Sequence, residues 1–358
     1  RGPVLLRVGT SAGSDNIFRQ AVLRTGQHSI AFTPGGSFWI EFSSSLKYPV
    51  WIDSAKVESA GKVKIDTPWY NASLCRSVRW VQSGDVLFCA ADGIQQHRIE
   101  RRPNDSWSVV VYEPTDGPFL TENTSPIRLT SSALSGSVSI VSSAPLFRPG
   151  HVGALFSMTS QGQSVLSDLT AESTYTDPIR VTGVGEGRRF AIGRHNTWSG
   201  TLSLQRSVGE PGAWATVARF TDAASSTYLD ELDNSEIYYR IGFEAGAYTS
   251  GTATCVLTYA VGSITGTVRI TGYNSAKSVD AVVLKSLGGT SATEIWAEGA
   301  WSDVNGYPQA VTIGDDGRLW WSGGGRNYGS VPDAFSSFDP NIEGDSAPIN
   351  RGVGSRAS

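Results

Sequence analysis

The most constraining feature of this sequence is a corner followed by a strand, a tight turn and a return strand within residues 301–321. A Gly-Tyr-Pro corner precedes the apolar run 310–313, and Asp315-Asp316-Gly317 predicts a turn because glycine tolerates positive φ. The run 319–321 then returns, so the pattern predicts a β-hairpin. From physics alone, an ordinary hairpin of any β protein fits equally well. The residues of this folding signature are Trp301, Gly306, Tyr307, Pro308, Gly317, Arg318, Leu319 and Trp320.

The composition favours strands over helices along the whole chain. Of 358 residues, 40 are Gly and one is Met, and helix interiors disfavour Gly and β-branched residues. The hydrophobic share of 39%, with 11 Trp, 12 Tyr and 13 Phe, can fill sizeable cores. We therefore expect an all-β protein of two or three domains.

The bulk properties argue against several classes of protein. A formal net charge of −4 provides no basic field for a phosphate backbone, so specific nucleic-acid binding is not expected. No apolar run reaches the roughly 20 residues of a membrane span, and no signal peptide opens the chain, which predicts a soluble protein. Cys75, Cys89 and Cys255 are scattered, so neither a disulfide framework nor a zinc site is indicated. Because the chain starts at Arg1 and ends in the featureless run 352–358, we expect a fragment of a longer polypeptide.

The strand pattern divides the chain into five segments. In the central one, Ile237, Tyr239, Ile241 and Phe243 alternate with outward-facing positions, which is typical of a strand with one buried face. Several strands at such spacing predict a β-sandwich inserted into a smaller β unit. The predicted segments are a propeller-like, hairpin-rich region (1–125), a small β unit or barrel (126–177), the inserted sandwich (178–260), the return of the small unit (261–299) and the return to the propeller-like region (300–358).

Residues 298–324, followed by Phe335 and Phe338-Asp339, resemble a segment that recurs in the nozzle, or tail tubular protein B-like, proteins of short-tailed bacteriophages. This chain departs from that family at Asp315 and Asp316, where the family has an apolar or aromatic residue, so we expect a more solvated hairpin tip. Further anchors of the resemblance lie in residues 23–34, 82–88, 107–119 and 146–153.

The resemblance implies a structural protein of the virion tail. Six copies would form a ring that continues the portal and adaptor channel, contacts tail fibres or spikes, and holds DNA until ejection. The implied fold is an irregular propeller, and the implied location is the virion after assembly in the host cytoplasm. On this reading the protein is not an enzyme and needs no cofactor or metal.

The residues themselves contain no arrangement that specifies catalysis. His28, His97, His151 and His195 lie far apart and form no HxxxH or HExxH motif, so structural imidazoles are the favoured interpretation. No Gly-x-Ser-x-Gly elbow is present, and residues 183–187 lack the Lys and the helix of a phosphate loop. Candidate carboxylates for glycoside hydrolysis also include Glu343 and Asp345. Those in 230–233 are interpreted as part of a solvated loop, and Asp315 and Asp316 as turn chemistry.

Aromatic rings offer an alternative function, because a flat ring can stack on a sugar. Candidate glycan-stacking residues are Trp198, Trp214, Tyr238 and Tyr248. Core or interface packing is the more ordinary use of such rings. The alternatives to a tail ring are therefore a carbohydrate-binding or polysaccharide-depolymerising tail module, and a bacterial surface adhesin built from sandwiches.

Overall fold

A computed structural model describes residues 3–59, 61, 64–103 and 105–352. Strands account for 50% of the residues and helices for 5%, which confirms the all-β prediction. The expectations for Arg1 and for the terminal run lie outside the described residues, except at Gly352, which ends a strand.

The N-terminal module consists of two antiparallel sheets. The first has the strand order β2-β1-β4, and the second has the order β3-β8-β7-β6-β5. Gly84 and Gly93, both at positive φ, form the turns that join β5, β6 and β7 into a meander. The elements are β1 (Val4–Gly9), β2 (Phe18–Leu23), β3 (Gly26–Ser29), β4 (Trp39–Ser43), α1 (Ala72–Ser77), β5 (Arg79–Ser83), β6 (Val86–Ala91), β7 (Ile94–Arg102) and β8 (Ser106–Val111).

The chain then begins a second module and leaves it for the sandwich. The second module starts with β9 (Leu129–Ser131), β10 (Ser137–Ser142) and β11 (Leu155–Ser160). The strands of the sandwich are β12 (Gln163–Leu169), β13 (Thr174–Tyr175), β14 (Ile179–Val181), β15 (Arg189–His195), β16 (Trp198–Val208), β17 (Ala215–Phe220), β18 (Ser225–Leu229), β19 (Ile237–Gly251) and β20 (Ala253–Tyr259).

Two sheets form the sandwich. One has the order β12-β20-β15-β18, and the other has the order β13-β19-β16-β17 with β14 also paired to β19. Ile237, Tyr239, Ile241 and Phe243 are each 0% exposed, as the alternation predicted, and they belong to one core that draws on both sheets. The predicted start at residue 178 differs from the structure, because β12 and β13 precede it and pair with β20 and β19. Only three of the seven residues of β12 are apolar and β13 has two residues, so both strands carry a weak apolar signal, which explains the difference.

The chain returns to the second module through β21 (Ile264–Ser275), β22 (Ser278–Lys285) and β23 (Trp296–Glu298). The strand order is β23-β11-β21-β22-β10-β9, so the two halves of the module interleave in one curled sheet. A bridge between Leu129 and Thr293 joins the two edges of this sheet. Residues 137–141 pair with 278–282, so a strand from the first part of the small β unit pairs with a strand from its return.

The last module is a four-stranded antiparallel sheet. Its strands are β24 (Ala310–Ile313), β25 (Leu319–Gly323), β26 (Arg326–Gly329) and β27 (Ile349–Gly352), in chain order. Short 3-10 helices occur at Pro149–His151, Gly185–Arg188 and Gly344–Ser346. This sheet shares a core with β6 of the N-terminal module, so the last module packs directly against the N-terminal module.

Candidate functional site

The hairpin predicted within residues 301–321 is present. β24 pairs with β25 in antiparallel register, with Ile313 opposite Leu319. Gly317 has a φ of 73°, a conformation that only glycine adopts at little cost. Asp315 and Asp316 are exposed, so the tip of the hairpin is solvated as expected.

Arg318 connects this hairpin to the loop before β27. Although charged, it is 4% exposed. Its guanidinium donates hydrogen bonds to the carbonyl oxygens of Ser330 at 2.7 Å, Ala347 at 2.7 Å and Asp345 at 2.5 Å. An ion pair with Asp316 at 3.1 Å adds charge balance. All of these contacts are internal, which supports a structural role for this residue.

The Gly-Tyr-Pro corner is held by short local contacts. Gly306 has a φ of 80°, and its amide donates to the carbonyl of Ser302 at 2.7 Å. The hydroxyl of Tyr307 donates to Asp303 at 2.9 Å, and Pro308 is buried. The corner therefore sets the direction in which the chain enters β24.

An aromatic cluster, which we call the apolar junction, joins the N-terminal module to the last sheet. The rings of Tyr112 and Trp321 are 4.8 Å apart between centroids. The Tyr112 hydroxyl donates to the carbonyl of Phe335 at 2.5 Å, and Trp321 is 0% exposed. Its members are Phe88, Tyr112, Trp301, Leu319, Trp321, Tyr328, Phe335 and Phe338.

Asp116 adds hydrogen bonds to the apolar junction. Its carboxylate accepts hydrogen bonds from the Ser337 hydroxyl at 2.7 Å and the Phe338 amide at 2.8 Å. Burial raises the pKa of Asp116, and these two hydrogen bonds only partly offset that effect. Two segments that lie more than 200 residues apart in the sequence are thus in direct contact.

Of the four candidate sugar platforms, Trp198 and Tyr248 are at one end of the β16–β19 ladder. Both rings pack edge-on against Phe243, with centroid distances of 5.7 Å and 5.1 Å. The Tyr248 hydroxyl donates to the carbonyl of Gly251 at 2.9 Å. These two side chains are half-buried members of the sandwich core.

Of the other two candidates, Tyr238 lies toward the opposite end of the same ladder. Trp214 directly precedes β17, which pairs with β16. The guanidinium of Arg240 stacks between Trp214 and Tyr175, at 4.2 Å and 3.8 Å from the two ring centroids. The Tyr238 hydroxyl donates to Glu236 at 2.6 Å. The four rings therefore do not form one platform, and Trp214 uses one face for Arg240.

The histidines occupy separate structural positions. His28 contacts the Ser108 hydroxyl and the carbonyl of Arg24, both at 2.8 Å, and burial lowers its pKa. Burial also lowers the pKa of His97. His151 is 2% exposed and lies 3.1 Å from Glu298.

One loop that the sequence interpretation placed in solvent is wrong in part, because Asp230 is 3% exposed. Its carboxylate accepts from Arg188 at 3.0 Å and from the Tyr239 hydroxyl at 2.6 Å. Burial alone would raise the pKa of Asp230, but these hydrogen bonds outweigh it and lower the pKa. The signal that was missed is that Asp230 and Arg188 flank strands of one sheet, β18 and β15, which pair with each other.

The N-terminal module carries an exposed arm, defined as residues 44–59 and 64–71, between β4 and α1. Residues 51–59 are all exposed and contain no helix or strand. Trp51 is 79% exposed and Tyr70 80% exposed, and Trp80 on the adjoining β5 is 59% exposed. Trp39 on β4 is 49% exposed. The exposed tryptophans of the described residues therefore lie in the arm or on β4 and β5, which flank the arm and α1 in the sequence.

Within the described residues, no group of three or more His, Cys, Asp or Glu side chains is arranged to hold a metal ion. The same part of the chain has no helix with the length and apolarity that a membrane crossing requires. No protein-family model matches the chain, and no curated protein matches it.

Proposed function

We propose that this protein is a structural component of a bacteriophage tail, of the nozzle type. Several copies, six by the family resemblance, form a ring that continues the portal and adaptor channel. The ring contacts tail fibres or spikes and lets DNA pass without binding it specifically. The protein acts in the virion after assembly in the host cytoplasm, and it acts by assembly rather than by catalysis.

The observation that carries this proposal is the exposed arm. Large aromatic side chains that a segment without helix or strand exposes to water favour a role in protein–protein contact, because exposed apolar surface often marks such contacts. Trp51 and Tyr70 are about four-fifths exposed in the isolated chain, and aromatic residues of this kind supply much of the binding energy at interfaces. Side-by-side contacts that repeat around an axis close a ring.

The direct test is the oligomeric state of the full-length protein, measured by light scattering and electron microscopy. We expect rings from the wild type and their loss in a Trp51→Ser/Tyr70→Ser double variant whose circular dichroism is unchanged. A matched control is Leu166→Ser/Val208→Ser, which removes two exposed apolar side chains from the sandwich. A wild type that stays monomeric at high concentration, alone and with adaptor protein, would contradict the proposal.

A further inference from the structure

A cavity of about 380 Å³ lies between the N-terminal module and the second module. Arg24, Lys47 and Arg98 line it from the first of these modules, and Arg269 lines it from β21. Its volume falls within the range of about 300–1,000 Å³ that is usual for small-molecule sites, and such sites are frequent at domain boundaries. Because two modules form its walls, the cavity depends on the assembly of these modules.

The lining carries a strong excess of positive charge. Four cationic side chains face one carboxylate, Glu113. Arg98 and Arg269 are 8% and 7% exposed, whereas Arg24 and Lys47 reach solvent. Buried cations without full compensation are costly, so this arrangement favours an anion in the cavity.

The carboxylates in and beside the cavity already form ion pairs with arginines. Glu113 pairs with Arg269 at 3.1 Å. Glu100, just outside the cavity, pairs with Arg102 at 2.7 Å, with Arg98 at 3.2 Å and with Arg24 at 4.0 Å. A single carboxylate that pairs with three guanidinium groups cannot neutralise all of them.

Two polar atoms of the lining residues lack hydrogen-bond partners among the described residues. They are Nε of Arg98 and Oγ1 of Thr25, and both atoms are buried. Burial lowers the pKa of Arg98, and the nearby charges of Arg24 and Arg102 lower it further, against the opposing effect of Glu100. A buried donor without a partner is unfavourable unless water or a ligand accepts from it.

We propose that this cavity binds a multivalent oxyanion, the phosphate or diphosphate group of a small molecule. Guanidinium groups bind phosphate oxygens through paired, charge-assisted hydrogen bonds. The excess of three positive charges, from four cations and one carboxylate, matches a multivalent anion better than a single carboxylate. Arg98 and Arg269 contact the anion inside, and Arg24 and Lys47 hold it at the entrance. This inference does not depend on the proposed tail function.

The test is calorimetric titration of the full-length protein with inorganic diphosphate, a nucleoside diphosphate and citrate. We expect one site per chain for diphosphate, with an affinity that falls as salt rises. Arg24→Gln and Lys47→Gln, at exposed positions that leave the fold intact, should each raise the Kd about tenfold, as the loss of one charged hydrogen bond does. Tighter binding of the nucleoside diphosphate would identify a nucleotide as the source, whereas equal binding of inorganic diphosphate would identify the free anion.

The matched control is Arg101→Gln on β7, which removes an exposed arginine that pairs with Asp85 outside the cavity. This variant should bind diphosphate as the wild type does. The proposal is overturned if the wild type shows no saturable binding at millimolar diphosphate, or if Arg101→Gln weakens binding as much as Lys47→Gln. Citrate binding as tight as diphosphate binding would overturn the phosphate assignment.

Discussion

The apolar junction and the attachment of the sandwich differ in chemistry. The apolar junction joins the N-terminal module to the last sheet through fully buried rings such as Trp321. The sandwich, in contrast, is attached to its surroundings through ions and amides. Lys285 of β22 pairs with Glu236 of the sandwich at 3.3 Å and with Asp339 of the last module at 2.8 Å.

Further contacts of the sandwich have the same polar character. Asn234 and Glu343 exchange two hydrogen bonds, at 3.0 Å and 3.2 Å, and Arg180 donates to the carbonyl of Thr265 at 3.1 Å. The buried cluster of the sandwich and that of the second module draw their members from separate parts of the chain. Ionic contacts of this kind contribute little net stability compared with burial of large rings. We infer that the ends of the chain form one cooperative body, whereas the sandwich is an autonomous unit with a more adjustable orientation.

The largest expected effect comes from breaking the apolar junction. Trp321→Ala removes a side chain that is 0% exposed and should lower the free energy of unfolding by about 3–5 kcal/mol, because a cavity replaces a ring. Denaturant titration followed by circular dichroism measures this loss.

Trp320→Ala is the matched control, since Trp320 is on the same strand but is only partly buried. Its cost should be clearly smaller. Equal losses for the two variants would show that the aromatic cluster is not what joins the two modules.

The second prediction tests whether the sandwich folds as its own unit. Asp230→Ala leaves Arg188, 0% exposed, buried without its carboxylate, which should cost the sandwich about 3 kcal/mol or more. We expect two separate transitions in calorimetry, with the sandwich melting first. Lowering the pH should reduce the stability of the sandwich little further in this variant.

The wild-type sandwich should depend on pH because the pKa of Asp230 is lowered in the folded state. A carboxyl group of this kind stabilises the fold above its unfolded pKa of about 3.9 and loses that contribution as pH falls through the folded value. The wild-type sandwich should therefore lose stability below about pH 4. A single transition for Asp230→Ala would contradict the autonomy of the sandwich.

Local patterns in the sequence predicted the elements that local chemistry determines. The turn at Gly317 and the strand that contains Tyr239 are both present. Each depends on turn residues or on alternation within a few positions, which a sequence displays directly.

Contacts between residues that lie far apart in the sequence could not be predicted from local patterns. Tyr112 and Trp321 lie far apart in the sequence, so their contact gives no local signal. The cavity has the same origin, since Arg98 and Arg269 meet only after two modules assemble, and isolated charges are usually interpreted as solvated. Asp230 was assigned to solvent for this reason.

A smaller effect is expected at the polar junction. Lys285→Met removes the ion pairs with Glu236 and Asp339 and should change the free energy of unfolding by about 1 kcal/mol or less. The orientation of the sandwich should become more variable, which small-angle scattering and proteolysis of the 231–236 loop would detect. Lys277→Met is the control, because Lys277 is exposed on the turn that follows β21. An unchanged scattering profile for Lys285→Met would mean that other contacts fix the sandwich.

The smallest effect concerns pH within the N-terminal module, where β3 joins β8. Burial lowers the pKa of His28 below its ordinary value, and hydrogen bonding to Arg24 and the charge of Glu100 do not reverse this. The unfolded chain therefore binds the proton more readily, so stability should fall as pH drops below about 6.5. Burial has the same consequence at His97. Comparing unfolding at pH 7.5 and pH 5.5, a His28→Gln variant should retain a weaker pH dependence than the wild type, by about 1 kcal/mol or less, whereas identical pH profiles would exclude His28 as a contributor.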